Sequence, residues 1–134
     1  FTDDARAAIA TLADAGHVLL SQSVLLKGIN ADVGTLGALM RVFVENRIKP
    51  YYLHHPDLAP GTSHFRLTLE EGQALVTSLR GNLSGLCQPT YILDIPGGAG
   101  KIPVGPAFLS GCEMPGAEAV AEDRHGGQHV YPPA

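Results

Sequence analysis

The chain has 134 residues, about one domain with a single core, and its 45% hydrophobic and 16% charged content is that of a folded protein. A net charge of −4 provides no attraction to nucleic acid or to an anionic membrane surface, and neither is expected as a partner. No apolar run approaches membrane-spanning length, and Cys87 and Cys112 are too few for a disulfide framework, which points to a reducing, cytoplasmic setting.

The first segment, FTDDARAAIATLADAGH, predicts a helix. Thr2 can cap it, Asp3 and Asp4 suit the positive end of its dipole, and Gly16 suits its stop. VLLSQSVLLKG follows as a strand with apolar residues at both parities, the pattern of a strand covered on two faces. Ser21, Gln22 and Ser23 interrupt it. A buried polar trio must find partners in the core or on a ligand, because each unpaired group costs about 1–3 kcal/mol. Asn30 or Asp32 can cap the next helix, whose stripe is Leu36, Leu39, Met40, Phe43 and Val44. Pro50 ends this unit and YYLHH begins another strand, at the spacing of a parallel crossover.

HHPDLAPGTSHFRLT forms a loop at the carboxyl end of that strand, where parallel α/β folds place their sites. His54, His55, Asp57 and His64 lack helical HxxxH spacing, and adjacent histidines on a strand face opposite ways, so no metal site is expected. Thr68 and Glu71 make a capping box for a helix with the stripe Leu75, Val76 and Leu79, ended by Gly81 and Gly85. YILDI is the third strand. The alternation predicts an α/β fold with an incomplete parallel sheet. After Phe108 the periodicity is lost, so residues 1–108 read as one unit and 109–134 as an irregular tail. In that tail His125 and His129 are solvated and Cys112 is a lone thiol.

The stretch YILDIPGGAGKIPVGP, Tyr91–Pro106, carries the chemical signal. A short apolar strand ends at Asp94, Pro96 stops it, and Gly97, Gly98 and Gly100 lead to Lys101. Glycines adopt positive φ and present bare backbone, so a carboxylate and an amine flank an open pocket. A Walker phosphate loop would need glycine at Ile95 and Ser or Thr at Ile102. Dinucleotide-fingerprint spacing is absent too. A strand-ending turn with a solvated lysine is the plainer reading of the same residues.

Taken together, QSVLLKGIN at Gln22–Asn30, KPYYLHHPDLAPGTSHFR at Lys49–Arg66 and LRGNLSGLCQPTYILDIPGGAGKIPVGP at Leu79–Pro106 resemble the lysine 2,3-aminomutase family of radical S-adenosylmethionine enzymes. The resemblance implies the C-terminal part of a partial (β/α) TIM-like barrel, cut from a longer chain. It also implies an isomerase that converts L-lysine to β-lysine. Lys101 matches the lysine that holds pyridoxal 5′-phosphate as an internal aldimine, beside Gly97, Gly98 and Gly100. Asp57 and Asp94 match the two aspartates that grip the distal ammonium of the substrate; in relatives acting on glutamate these positions are not both acidic. Gln22 matches a contact to S-adenosylmethionine, and His54 replaces a tyrosine usual near the reacting centre. The CxxxCxxC motif that binds the family's [4Fe–4S] cluster is missing, so this chain alone is expected to be inactive. Self-association as a homo-oligomer is expected from the uncovered strand edge of a partial barrel. Alternatives are a pyridoxal-phosphate- or ligand-binding α/β module without radical chemistry, and an enzyme making β-lysine for elongation-factor modification.

Overall fold

The structure, a computed structural model, describes residues 1–111, 118–123 and 125–131. Helix α1 (Asp3–Asp14) leads into strand β1 (Leu19–Val24), α2 (Val33–Glu45) and β2 (Ile48–His54). A 3-10 turn at Ser63–Phe65, α3 (Leu69–Asn82) and a second 3-10 turn at Gly85–Cys87 precede β3 (Thr90–Asp94) and β4 (Lys101–Pro103). The short strands β5 (Leu109–Ser110), β6 (Ala119–Glu122) and β7 (Gln128–Tyr131) follow. The main sheet has the order β1-β2-β3-β4, with the first three strands parallel and β4 antiparallel to β3. The second sheet, β5-β6-β7, is antiparallel. The fold is therefore mixed α/β, built on a sheet of parallel strands.

Side-chain caps start the helices. Thr2 accepts from the Ala5 amide of α1 at 3.2 Å, and Asp32 accepts from the Thr35 amide of α2 at 2.8 Å. Asn30, the other candidate cap, instead accepts from the Leu26 amide and donates to the Val24 carbonyl, folding the loop after β1. At α3 the Thr68 hydroxyl accepts from the Glu71 amide while the Glu71 carboxylate accepts from the Thr68 amide. Helix α3 ends at Asn82, between Gly81 and Gly85, where the two glycines were expected to break it.

Leu25, Leu36, Met40, Leu53, Val76, Leu79, Cys87 and Tyr91 form one buried cluster. Leu53 and Tyr91 are register partners on β2 and β3, so the core lies on the sheet face that α2 and α3 cover. Gly72 of α3 permits the closest approach: a Cβ there would run into the hydroxyl and ring of Tyr91. The opposite face carries the other parity. Leu20 and Val24 on β1 are about half exposed, so the expectation of a strand covered on both faces is corrected: the described helices cover one face only.

The expectation of an irregular tail is corrected as well. Strands of two to four residues are too short for alternation to be read, but DRHGG was a turn signal. Asp123 builds that turn, its Oδ1 accepting from the amides of His125 and Gly127 and its Oδ2 facing His129 Nε2 at 2.7 Å. These bonds, His129 first, pull the Asp123 carboxyl down to about 2. Cys112 lies outside the described residues. Among those residues, no helix is long and apolar enough to cross a membrane.

Candidate functional site

The site begins with a hairpin. Strand β3 ends at Asp94, the Ile95 amide donates to the Gly100 carbonyl at 2.8 Å, and the chain returns as β4. Gly97, Gly98 and Gly100 have φ of 84°, 77° and 105°, and a Cβ at any of them would meet nothing within 4 Å. Their left-handed backbone is the reason for glycine here, and the surrounding space is open. The hairpin register sets Lys101 opposite Asp94, so both side chains share one face, and Lys101 Nζ donates to Asp94 Oδ1 at 2.6 Å.

Parallel pairing adds residues from the other two strands. His54, the last residue of β2, places Nδ1 2.7 Å from Asp94 Oδ2 and Nε2 3.1 Å from the Gln22 side-chain oxygen. A hydrogen-bonded row, Gln22, His54, Asp94, Lys101, thus crosses β1, β2, β3 and β4 in order. His54 must present a proton to the carboxylate through Nδ1. With the ring neutral, Nε2 accepts from a rotated Gln22 amide; with the ring charged, Nε2 donates to the Gln22 oxygen.

The Lys101 and then the His54 hydrogen bonds hold the Asp94 carboxyl below its ordinary range. Asp94 in turn raises the Lys101 ammonium, against partial desolvation, with smaller help from Tyr52 and Asp57. Lys101 remains half exposed.

Two cavities adjoin the row. One, of about 390 Å³, is lined by His55, Asp57, Leu58, Leu69, Leu93 and Asp94, together with Pro56 and Pro96. The other, of about 230 Å³, is lined by Gln22, Val24, His54, His55, Asp57 and Asp94. Asp57, exposed in the loop after β2, and Asp94, at the end of β3, therefore border the same space. The structure brings Gln22, Asp57, Asp94 and Lys101 to one end of the sheet, the carboxyl end of its parallel strands.

His55 was missed as a cavity residue. Its backbone amide donates to Ile92, and its Nδ1 meets the Tyr91 hydroxyl at 2.7 Å. Tyr91 is buried, which pushes its phenol up to about 12, so the hydroxyl keeps its proton and donates it to Nδ1. That places the proton of a neutral His55 on Nε2, and burial favours the neutral ring. Strand parity had separated His55 from His54; what it could not show was the tyrosine beneath.

The half-exposed amine of Lys101, beside a turn whose glycines face open space, suits an aldehyde cofactor. Among the described residues the one cysteine, Cys87, is packed in the core and does not suit an iron–sulfur cluster.

A family model described as Lysine-2,3-aminomutase matches residues 76–114, which include the whole hairpin. The L-lysine 2,3-aminomutase of Clostridium subterminale is 43% identical over 108 residues, covering 81% of this chain and 26% of that protein. The glutamate 2,3-aminomutase of Clostridioides difficile is 39% identical over 108 residues, again 81% of this chain and 26% of its own length. The L-lysine 2,3-aminomutase of Bacillus subtilis is 38% identical over the same share of the chain and 23% of its own. The chain spans about a quarter of the length of these relatives. With its aspartate–lysine hairpin inside the matched region, the chain belongs to the lysine 2,3-aminomutase family, as a counterpart of its C-terminal portion.

Proposed function

We propose that the chain is the C-terminal portion of an L-lysine 2,3-aminomutase, an isomerase that converts L-lysine to β-lysine, with pyridoxal 5′-phosphate carried on Lys101. The observation that carries this reading is the hairpin pair Asp94–Lys101 beside a cavity that Asp57 also lines. Pyridoxal 5′-phosphate supplies the aldehyde through which an amino group moves between adjacent carbons. Gly97, Gly98 and Gly100 form the open turn beside the cofactor, and Gln22, on the open sheet face, is the contact for S-adenosylmethionine. The [4Fe–4S] cluster that S-adenosylmethionine chemistry requires needs ligands this sequence does not contain, so the isolated chain is inactive on this reading. The parallel sheet is one arc of a TIM-like barrel whose interior is the face of Gln22, His54 and Asp94, in a cytoplasmic homo-oligomer.

The choice of lysine over glutamate rests on Asp57 and Asp94. Identity favours neither, at 43% to a lysine-named relative and 39% to a glutamate-named one. Two carboxylates bordering one cavity favour a cationic side chain and repel a carboxylate. The test is Asp94→Asn in the complete enzyme. Removing one charged hydrogen bond costs about 1.5–3 kcal/mol. At about 1.4 kcal/mol per decade, the Michaelis constant for lysine rises roughly ten- to a hundred-fold. Lysine kinetics unchanged in Asp94→Asn would remove the ammonium assignment.

A further inference from the structure

Lys101 and Asp94 are each other's nearest partner, yet the function proposed above gives them different work. Lys101 has to offer a free amine to an aldehyde, and Asp94 has to hold a primary ammonium at the end of a four-carbon stem. Lys101 is itself a primary ammonium on a four-carbon stem, seated on Asp94 Oδ1 at 2.6 Å. We propose that Lys101 is a built-in occupant of the ammonium site at Asp94, so that attachment of the cofactor to Lys101 and opening of Asp94 to an incoming amino acid are a single exchange.

The geometry supports an exchange over simultaneous occupancy. Each carboxylate oxygen already has a donor, Lys101 on Oδ1 and His54 on Oδ2. A second ammonium on Oδ1 would lie within a few ångströms of the first, where like charges repel. Withdrawal of Lys101 clears Oδ1 alone. His54 stays on Oδ2, braced from behind by Gln22, and keeps the carboxylate aimed at the cavity. Asp57 borders that cavity and is positioned to share the arriving charge.

The exchange rests on the proposed function, and its chemistry is balanced. The Lys101 ammonium gives one proton to solvent, and its nitrogen attacks the aldehyde carbon of pyridoxal 5′-phosphate. A carbon–nitrogen double bond forms, and the aldehyde oxygen leaves as water. Contact with Asp94 opposes the first of these steps. The groups that act on Lys101 are Asp94 from β3, Tyr52 from β2 and Asp57 from the loop after it, with His54 acting through Asp94; the first three favour the charged form.

The sequence contains an internal reference for the test, because its only other lysines are Lys27 and Lys49. The chain is incubated with pyridoxal 5′-phosphate at neutral pH, reduced with borohydride, and labelling of Lys101 relative to Lys27 is read by peptide mass spectrometry. In Asp94→Asn the Lys101 to Lys27 ratio is expected to rise severalfold, since loss of the adjacent carboxylate charge removes the main group that holds Lys101 in its charged form. An unchanged or lower ratio in a variant with native circular dichroism overturns the exchange. If the ratio rises but Lys101 never exceeds Lys27, the restraint by Asp94 stands and the cofactor role of Lys101 falls. If Lys101 dominates in the parent chain and the ratio ignores Asp94→Asn, the cofactor role stands and the exchange falls. Should Asp94→Asn not fold, the parent chain decides: Lys101 labelling must reach half its plateau at higher pH than Lys27, and equal midpoints overturn the proposal.

Discussion

Replacing Gly72 by alanine tests the packing that supports the site, because two ordinary rules predict opposite signs. In an exposed helix interior, glycine to alanine stabilises by about 1 kcal/mol. At Gly72, however, the new Cβ would overlap the Tyr91 hydroxyl and ring, on a side chain only 1% exposed. Tyr91 cannot move outward without breaking its hydrogen bond to His55, and α3 cannot move without opening the Val76 and Leu79 contacts of the core. Overpacking costs about 1–3 kcal/mol, and loss of the hydrogen bond adds about 0.5–1.5 kcal/mol. Set against the helix gain, the expected net effect is a loss of about 1–3 kcal/mol. Urea denaturation reads it as a lower midpoint at unchanged slope. The cause is isolated by repeating the substitution in Tyr91→Phe, which deletes the first clashing atom; there Gly72→Ala should cost about 1 kcal/mol less. Stabilisation by Gly72→Ala, or an equal cost in both backgrounds, would refute the packing argument.

Tyr91 also sets an alkaline limit. Its phenol is raised from 10.0 to about 12 by burial, so the folded chain holds the proton more tightly than the unfolded one. The associated stability is fully present below pH 10 and is lost as pH rises toward about 12, on the order of 2–3 kcal/mol. Urea midpoints measured through that window should fall in the parent chain and lack this component in Tyr91→Phe. Self-association is the other expectation: the half-exposed Leu20 and Val24 lie on edge strand β1, and sedimentation should show species larger than a monomer. A monomer at all concentrations would count against it.

The alternation of helices and strands was legible because its signals are local: the Thr2, Asp32 and Thr68 caps, the Leu36–Met40 stripe and the short apolar strands. The aspartate–glycine–lysine turn was legible for the same reason. What stayed hidden depends on pairing across distance. The face on which His54 meets Asp94 follows from parallel register between residues 40 apart, which no local pattern encodes. His55 could be separated from His54 by strand parity, but its cavity role depends on Tyr91 and on the depth at which α3 packs. The antiparallel strands after Phe108 were missed because two to four residues give no period to read, and only the Asp and Gly residues of the last turn marked them.

The glycine hairpin has a consequence for how the site can change over time. Asp94 and Lys101 are seven residues apart and held by one turn, whereas His54 and Gln22 reach Asp94 only through strands placed by the rest of the sheet. A substitution that shifts β1 or β2 by a fraction of an ångström alters the Gln22 and His54 contacts and leaves the Asp94–Lys101 spacing nearly untouched. The Asp94–Lys101 spacing is therefore the most locally determined feature of the site. Small displacements of the strands beside it can be absorbed at Gln22 and His54 without changing that spacing.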